Sequence, residues 1–193
     1  MCRSFTPAPI DASVLDRVLD AGRRAPSAGN TSGTRFVVLE GAEQTARYWD
    51  VTLPAERRNT FRWPRLLVAP VLVLPLGDPS AYVARYAEPD KAATGLGEGA
   101  EAWATPYWTV DTAFAAMNVL LTAEDEGLGA LFFGMFDHAA AVMAALGVPD
   151  GLQPIGTVAL GHPAADADAD SESGRSAARP RPPLDEVVHR GGW

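Results

Sequence analysis

The chain has 193 residues, 47% of them apolar, and a formal net charge of −8 at pH 7. That is enough length for one domain with a substantial core, and too much acidity to attract nucleic acid or an anionic membrane without a dense basic patch, which the sequence lacks. Cys2 is the only cysteine, so an internal disulfide and a cysteine metal cluster are excluded; the most apolar run, 66–76, is broken by Pro70 and Pro75 and is too short for a bilayer, and a cytoplasmic protein is expected.

The first predicted helix opens at Pro9-Ile10-Asp11. Asp11 is placed to cap it, Val14, Leu15, Val18, Leu19 and Gly22 form an apolar stripe at helical spacing, and Pro26 ends it. A strand follows at 35–39 and a helix at 43–51, with Trp49 as its core anchor. A further helix is expected over 57–67. Residues 71–76 are almost wholly apolar and read as a strand buried on both faces. A short helix at 79–86 leads into 88–106, which has several glycines and no clear period and reads as a long surface loop of the kind used for lids or binding.

The strongest helical signal spans 109–126. Val110, Ala113, Phe114, Met117, Leu120 and Leu121 line one side, and Ala115, Ala116 and Val119 keep the other apolar too. A helix apolar nearly all round belongs in a core or a subunit interface, and Gly127 is placed to close it. Strands at 130–133 and 155–160 flank a helix at 139–146. Residues 164–178 are a low-complexity Ala/Asp/Ser linker, and 184–193 regain apolar character through Leu184, Val187, Val188 and Trp193, as in an arm that docks elsewhere. Strands and helices alternate only loosely, so the class expected is α+β.

Three features bear on chemistry. The loop Ala25-Pro26-Ser27-Ala28-Gly29-Asn30-Thr31-Ser32-Gly33 is rich in small residues and backbone N–H groups. Arg179 and Arg181 stand close together in an acidic chain, and Arg3 makes the N-terminus basic. Together they suggest a bound anionic cofactor. Other chemistries find little support: His138, His162 and His189 lack metal-ligand spacing, and Asp166, Asp168 and Asp170 alternate without the glycine and glutamate of a calcium loop. No phosphate-binding glycine motif or nucleophile elbow is present.

These residues resemble the nitroreductase family of flavoproteins. Arg3-Ser4-Phe5 is similar to the end of its basic N-terminal segment, and Ala25-Pro26-Ser27 through Asn30 to its alanine-proline-serine loop. Tyr107-Trp108 leading to Gly127-Leu128-Gly129 is similar to its central helix and turn, Phe133-Gly134-Met135-Phe136-Asp137 to its flavin-facing loop, and Gly161-His162-Pro163 with Arg179, Arg181 and Pro183 to its closing strand and basic tail. The resemblance implies a nitroreductase-like three-layer α+β sandwich with a mostly antiparallel sheet. It implies an FMN-binding domain at 1–163, the linker at 164–178, and an arm at 179–193 that completes an intertwined homodimer.

By the same resemblance, the cofactor is FMN and NAD(P)H is the co-substrate. Arg3 would face the flavin pyrimidine, where a fixed cation favours reduction. Ser27 and Asn30 would hydrogen-bond FMN, Gly134 or Met135 would offer a backbone N–H to flavin N5, and Arg179 and Arg181 would grip the phosphate. Each has a plainer alternative: caps and turns for Ser27 and Asn30, a simple turn for Gly134 and Met135, and solvated charges for the arginines. Ser32 and Thr34 stand where the family usually has glutamine and often tryptophan, and the family's first basic residue would lie before Met1. The activity implied is ping-pong reduction of a nitroaromatic, quinone or similar conjugated acceptor. The alternatives are a flavin-dependent dehydrogenase or other tailoring enzyme acting on a biosynthetic intermediate, and a flavin-binding protein without turnover.

Overall fold

The structure, a computed structural model, describes residues 1–165 and 179–193; most of the expected 164–178 linker, with Asp166, Asp168 and Asp170, lies outside the described residues. Helix α1 (Ala12–Arg23) starts where Asp11 accepts hydrogen bonds from the backbone N–H of Ser13 and Val14, satisfying groups every helix leaves orphaned. It is followed by β1 (Thr34–Glu40), α2 (Gly41–Thr52), the single turn α3 (Ala55–Arg58), β2 (Val71–Gly77), α4 (Pro79–Tyr86) and the long α5 (Tyr107–Asp125). Then come β3 (Gly129–Phe133), α6 (Ala139–Ala145), the short β4 (Gln153–Pro154), β5 (Thr157–Gly161) and α7 (Leu184–Val187).

The strands form one sheet in the order β1-β2-β5-β3, with β4 also on β2, and every pairing is antiparallel. All seven residues of β2 are buried, and their alternation divides the core. Val71 and Val73 point toward Leu15 and Val18 of α1 and Val119 of α5. Leu72, Leu74 and Leu76 point toward Tyr48 and Trp49 of α2 and Val142 of α6. A two-residue strand period thus gives two hydrophobic faces and a three-layer sandwich. Gly22 lets α1 lie close on α5, since a Cβ there would come within 2.7 Å of Val119 Cγ2 and 3.3 Å of the Ala115 carbonyl oxygen.

One expectation is corrected. Residues 57–67 are not one helix: α3 is a single turn, and only a 3-10 turn at Pro64–Leu66 follows. Pro64 forces Trp63 out of helical geometry, to φ −122° and ψ 70°. The 88–106 segment connects α4 to α5 as a loop. It folds into 3-10 turns at Ala92–Thr94, Leu96–Glu98 and Ala100–Ala102, fastened by the buried Trp103, whose indole N–H donates to the Leu96 carbonyl at 2.9 Å. No helix among the described residues is long and apolar enough to cross a membrane.

Helix α5 divides its apolar residues between two faces. Trp108, Thr112, Ala115, Ala116, Val119 and Ala123 are buried against the sheet and α1. Tyr107, Phe114, Met117 and Leu121 are exposed and, with half-buried Val110, recur at alternating steps of three and four residues. That is the spacing of a helix–helix seam.

Candidate functional site

The N-terminal segment is tied to the sheet at the β3 edge. The Cys2 N–H donates to the Ala130 carbonyl at 2.9 Å, the Thr6 N–H donates to the His162 carbonyl at 2.9 Å, and Phe5 bridges to Pro163. Arg3, held between them, reaches a cavity of about 380 Å³ walled by Tyr48, Trp49, Phe61, Trp63, Phe133, Gly134 and Met135. Its guanidinium carbon lies 5.4 Å from the centre of the Trp63 ring, and that of Arg62 lies 5.2 Å from it. Trp49 stacks parallel on Phe133, with centroids 5.9 Å apart and planes 3° apart.

The chemistry of this wall is one-sided. The indole N–H groups of Trp49 and Trp63 are buried without a hydrogen-bond partner, and each such group costs about 1–3 kcal/mol until it finds an acceptor. Arg3 adds a cation, and none of the lining residues is acidic. Tyr48 stays neutral, because burial pushes its hydroxyl up to about 12. At Gly134 a Cβ would meet nothing closer than the Phe136 ring at 3.6 Å. The glycine therefore keeps the strand end flat rather than relieving a clash. Phe136 beside it is 87% exposed on a left-handed backbone with φ 50°, a strain of about 1–3 kcal/mol of the sort kept at functional sites. A cavity of this size lies within the range of small-molecule sites, roughly 300–1,000 Å³. Its flat aromatic walls and the Arg3 cation fit a planar ring with a carbonyl-rich edge, and the isoalloxazine of FMN has that form.

The loop at 27–32 lies at the opposite edge of the sheet, before β1, and packs toward the α5 face. Ser27 Oγ accepts the Ser32 N–H at 2.9 Å, the Thr31 hydroxyl donates to the Ala28 carbonyl at 2.6 Å, and Asn30 and Ser32 take left-handed φ values of 55° and 52°. Thr34 pairs its hydroxyl with that of Thr112 at 3.1 Å. Beside the loop is a cavity of about 460 Å³ lined by Ala28, Tyr86, Leu96, Trp103 and Tyr107.

The structure thus brings Arg3, Gly134 and Met135 together and leaves Ser27, Asn30 and Ser32 in a second cluster. Arg179 and Arg181 belong to neither; they stand on an exposed segment before α7. Sequence reading missed Trp63, whose only signal was an aromatic residue between Arg62 and Pro64, and treated Trp49 purely as core. It also missed Asp111, an acid alone on the buried face of an apolar helix. Among the described residues, no three His, Cys, Asp or Glu side chains come together as metal ligands.

The three-layer α+β sandwich built on one antiparallel sheet is the nitroreductase fold, and the chain belongs to the Nitroreductase family, whose sequence profile matches residues 1–162. It is 28% identical over 191 residues to an NADPH-dependent oxidoreductase of Staphylococcus aureus (strain bovine RF122 / ET3-1), covering 97% of this chain and 68% of that protein. A nitroreductase-like protein from Streptococcus mutans superposes with a TM-score of 0.74 at 19% identity, covering 97% of this chain and 91% of that one. A Desulfovibrio desulfuricans protein assigned as a nitroreductase, in complex with FMN, gives 0.66 at 23% identity, covering 100% and 91%.

Proposed function

We propose that this protein is an FMN-dependent oxidoreductase that draws hydride from NAD(P)H and reduces a nitroaromatic, quinone or similar conjugated acceptor by a ping-pong scheme. The observation that carries the reading is the Arg3 cavity, where one guanidinium and the flat rings of Trp49, Trp63 and Phe133 line a space that ends at Gly134 and Met135. Family membership and the NADPH-dependent relative support it. FMN, when bound, supplies the hydride-accepting ring. The chain supplies the rest. Arg3 holds positive charge beside the carbonyl edge, Gly134 and Met135 present backbone to the ring, and the aromatic walls exclude water. Ser27, Asn30 and Ser32 form a second rim, and Arg179 and Arg181 take the phosphate.

We propose that two copies bring these sets together across an interface. Arg3 with Gly134, and Ser27 with Asn30, lie at opposite edges of one protomer, β3 and β1, three strand spacings or about 14 Å apart. The exposed seam on α5 and the apolar side chains of the 184–193 arm favour a homodimer with exchanged arms. The test is the visible spectrum of the purified protein followed by anaerobic titration with NADH and NADPH. A flavin spectrum bleached by either is expected; protein that stays colourless with added FMN overturns the reading. Bound flavin that neither nicotinamide reduces would point instead to a dehydrogenase acting on a biosynthetic intermediate, a reading favoured by the roomy aromatic cavity beside the loop at 27–32.

A further inference from the structure

We propose that Asp111 is a positioning residue for the loop at 27–32, holding it in the form that meets FMN; this deepens the function proposed above and rests on it. Asp111 is 3% exposed, on the face of α5 that packs with Tyr82, Trp103 and Trp108. A buried carboxylate is expensive, and an apolar residue would serve the core better. Its hydrogen-bond partners among the described residues are both neutral donors and both meet the same oxygen: the Ala28 N–H at 2.8 Å and the Tyr82 hydroxyl at 2.8 Å. The first is a backbone group of the cofactor loop, and the second fixes the carboxylate that holds it.

The loop requires such an anchor. Gly29, Asn30 and Ser32 all have left-handed φ, at 62°, 55° and 52°, and two of them are not glycine, so the conformation is one a free segment would seldom hold. A second anchor grips the loop two peptides on: Arg85 Nε donates to the Gly29 carbonyl at 2.9 Å, and its guanidinium is held by both oxygens of Asp90 at 2.7 and 2.8 Å. With one N–H and one C=O clamped from outside, the loop meets its ligand already ordered, and the entropy of ordering is not subtracted from affinity.

Asp111→Leu and Asp111→Asn separate space-filling from hydrogen bonding. An asparagine oxygen can accept both bonds; leucine accepts neither. Two quantities are read in the full-length protein: FMN dissociation constants by fluorescence quenching, and exchange of the Ala28 amide by NMR, with the Val119 amide in α5 as internal reference. In D111L, FMN affinity should fall at least about tenfold and Ala28 exchange should quicken at least about tenfold relative to Val119, while D111N stays within about threefold of wild type on both. Wild-type rates at Ala28 in D111L, or D111N behaving like D111L, overturn the proposal. Should D111L not fold, Tyr82→Phe carries the test. It keeps the ring and removes one donor, so Ala28 should exchange at least about threefold faster, and an unchanged rate overturns the proposal. If the wild-type protein binds no FMN, the proposed function fails by itself, and the Ala28 amide still decides the role of Asp111.

Discussion

The loop at 27–32 and the cavity beneath Arg3 differ in what each is made of. The loop is shaped by hydrogen bonds to its backbone: Asp111 accepts the Ala28 N–H, Arg85 donates to the Gly29 carbonyl, and Ser27 Oγ accepts the Ser32 N–H. The cavity is made of side chains, with the Arg3 cation beside the flat rings of Trp49, Trp63 and Phe133. A clamped backbone contributes shape. A cation and flat aromatic rings contribute charge and contact area. Binding energy should therefore reside in the cavity, and geometry in the loop.

The most severe way to break this comparison is to separate the two clusters. Charges at Met117→Glu and Leu121→Glu fall on the exposed seam of α5 and should convert a dimer to monomers by light scattering. FMN affinity should then drop by about a hundredfold or more, since each copy is left with half a site. A monomer that still binds FMN as tightly would place both clusters in one chain and dissolve the two-copy reading.

Next is the charge itself. Arg3→Ala should weaken FMN by about tenfold to a hundredfold, the range of one charge-assisted hydrogen bond. Arg181→Ala should weaken FMN by a similar factor and leave riboflavin, which lacks phosphate, unaffected in isothermal titration. Equal loss of both ligands in R181A would detach that arginine from the phosphate. Smaller still is Gly134→Val. Space for a Cβ exists, with the exposed Phe136 ring its nearest neighbour at 3.6 Å, so the melting temperature should stay within about 2 °C, whereas FMN affinity should fall about threefold to tenfold because the floor is no longer flat.

The smallest effect lies away from both clusters. Arg17 donates to both carboxylate oxygens of Glu126 at 2.7 and 2.8 Å, joining α1 to the end of α5. That hydrogen bond, before any other cause, holds the Glu126 carboxyl below its usual 4.5. A carboxylate whose folded value is depressed stabilises above its unfolded value, and the contribution fades as the pH falls through the lowered one. Wild type should therefore melt slightly above Glu126→Gln at pH 7, with the two converging as the pH is taken below 4.5. A difference that persists in acid would show that the pair acts by something other than charge, and since Arg17 is exposed and Glu126 only half-buried, a modest shift is expected.

Much of the fold was written locally. Asp11 caps α1 by its own side chain, the almost wholly apolar run at 71–76 reads as a doubly buried strand, and the length of α5 follows from a stretch without proline or glycine between Pro106 and Gly127. The ordered motifs around Arg3, Ser27, Gly134 and Arg181 also carried the family. Tertiary structure decided which of those residues meet, because register and strand order, invisible to any single segment, send Arg3 and Gly134 to one edge of the sheet and Ser27 to the other. It decided too that α5 buries only one of its two apolar faces, and that a proline-broken stretch delivers Trp63 to the Arg3 cavity. Asp111 reads in sequence as an acid misplaced on a greasy helix; only the fold supplies the Ala28 amide and Tyr82 hydroxyl that make a buried charge worth keeping.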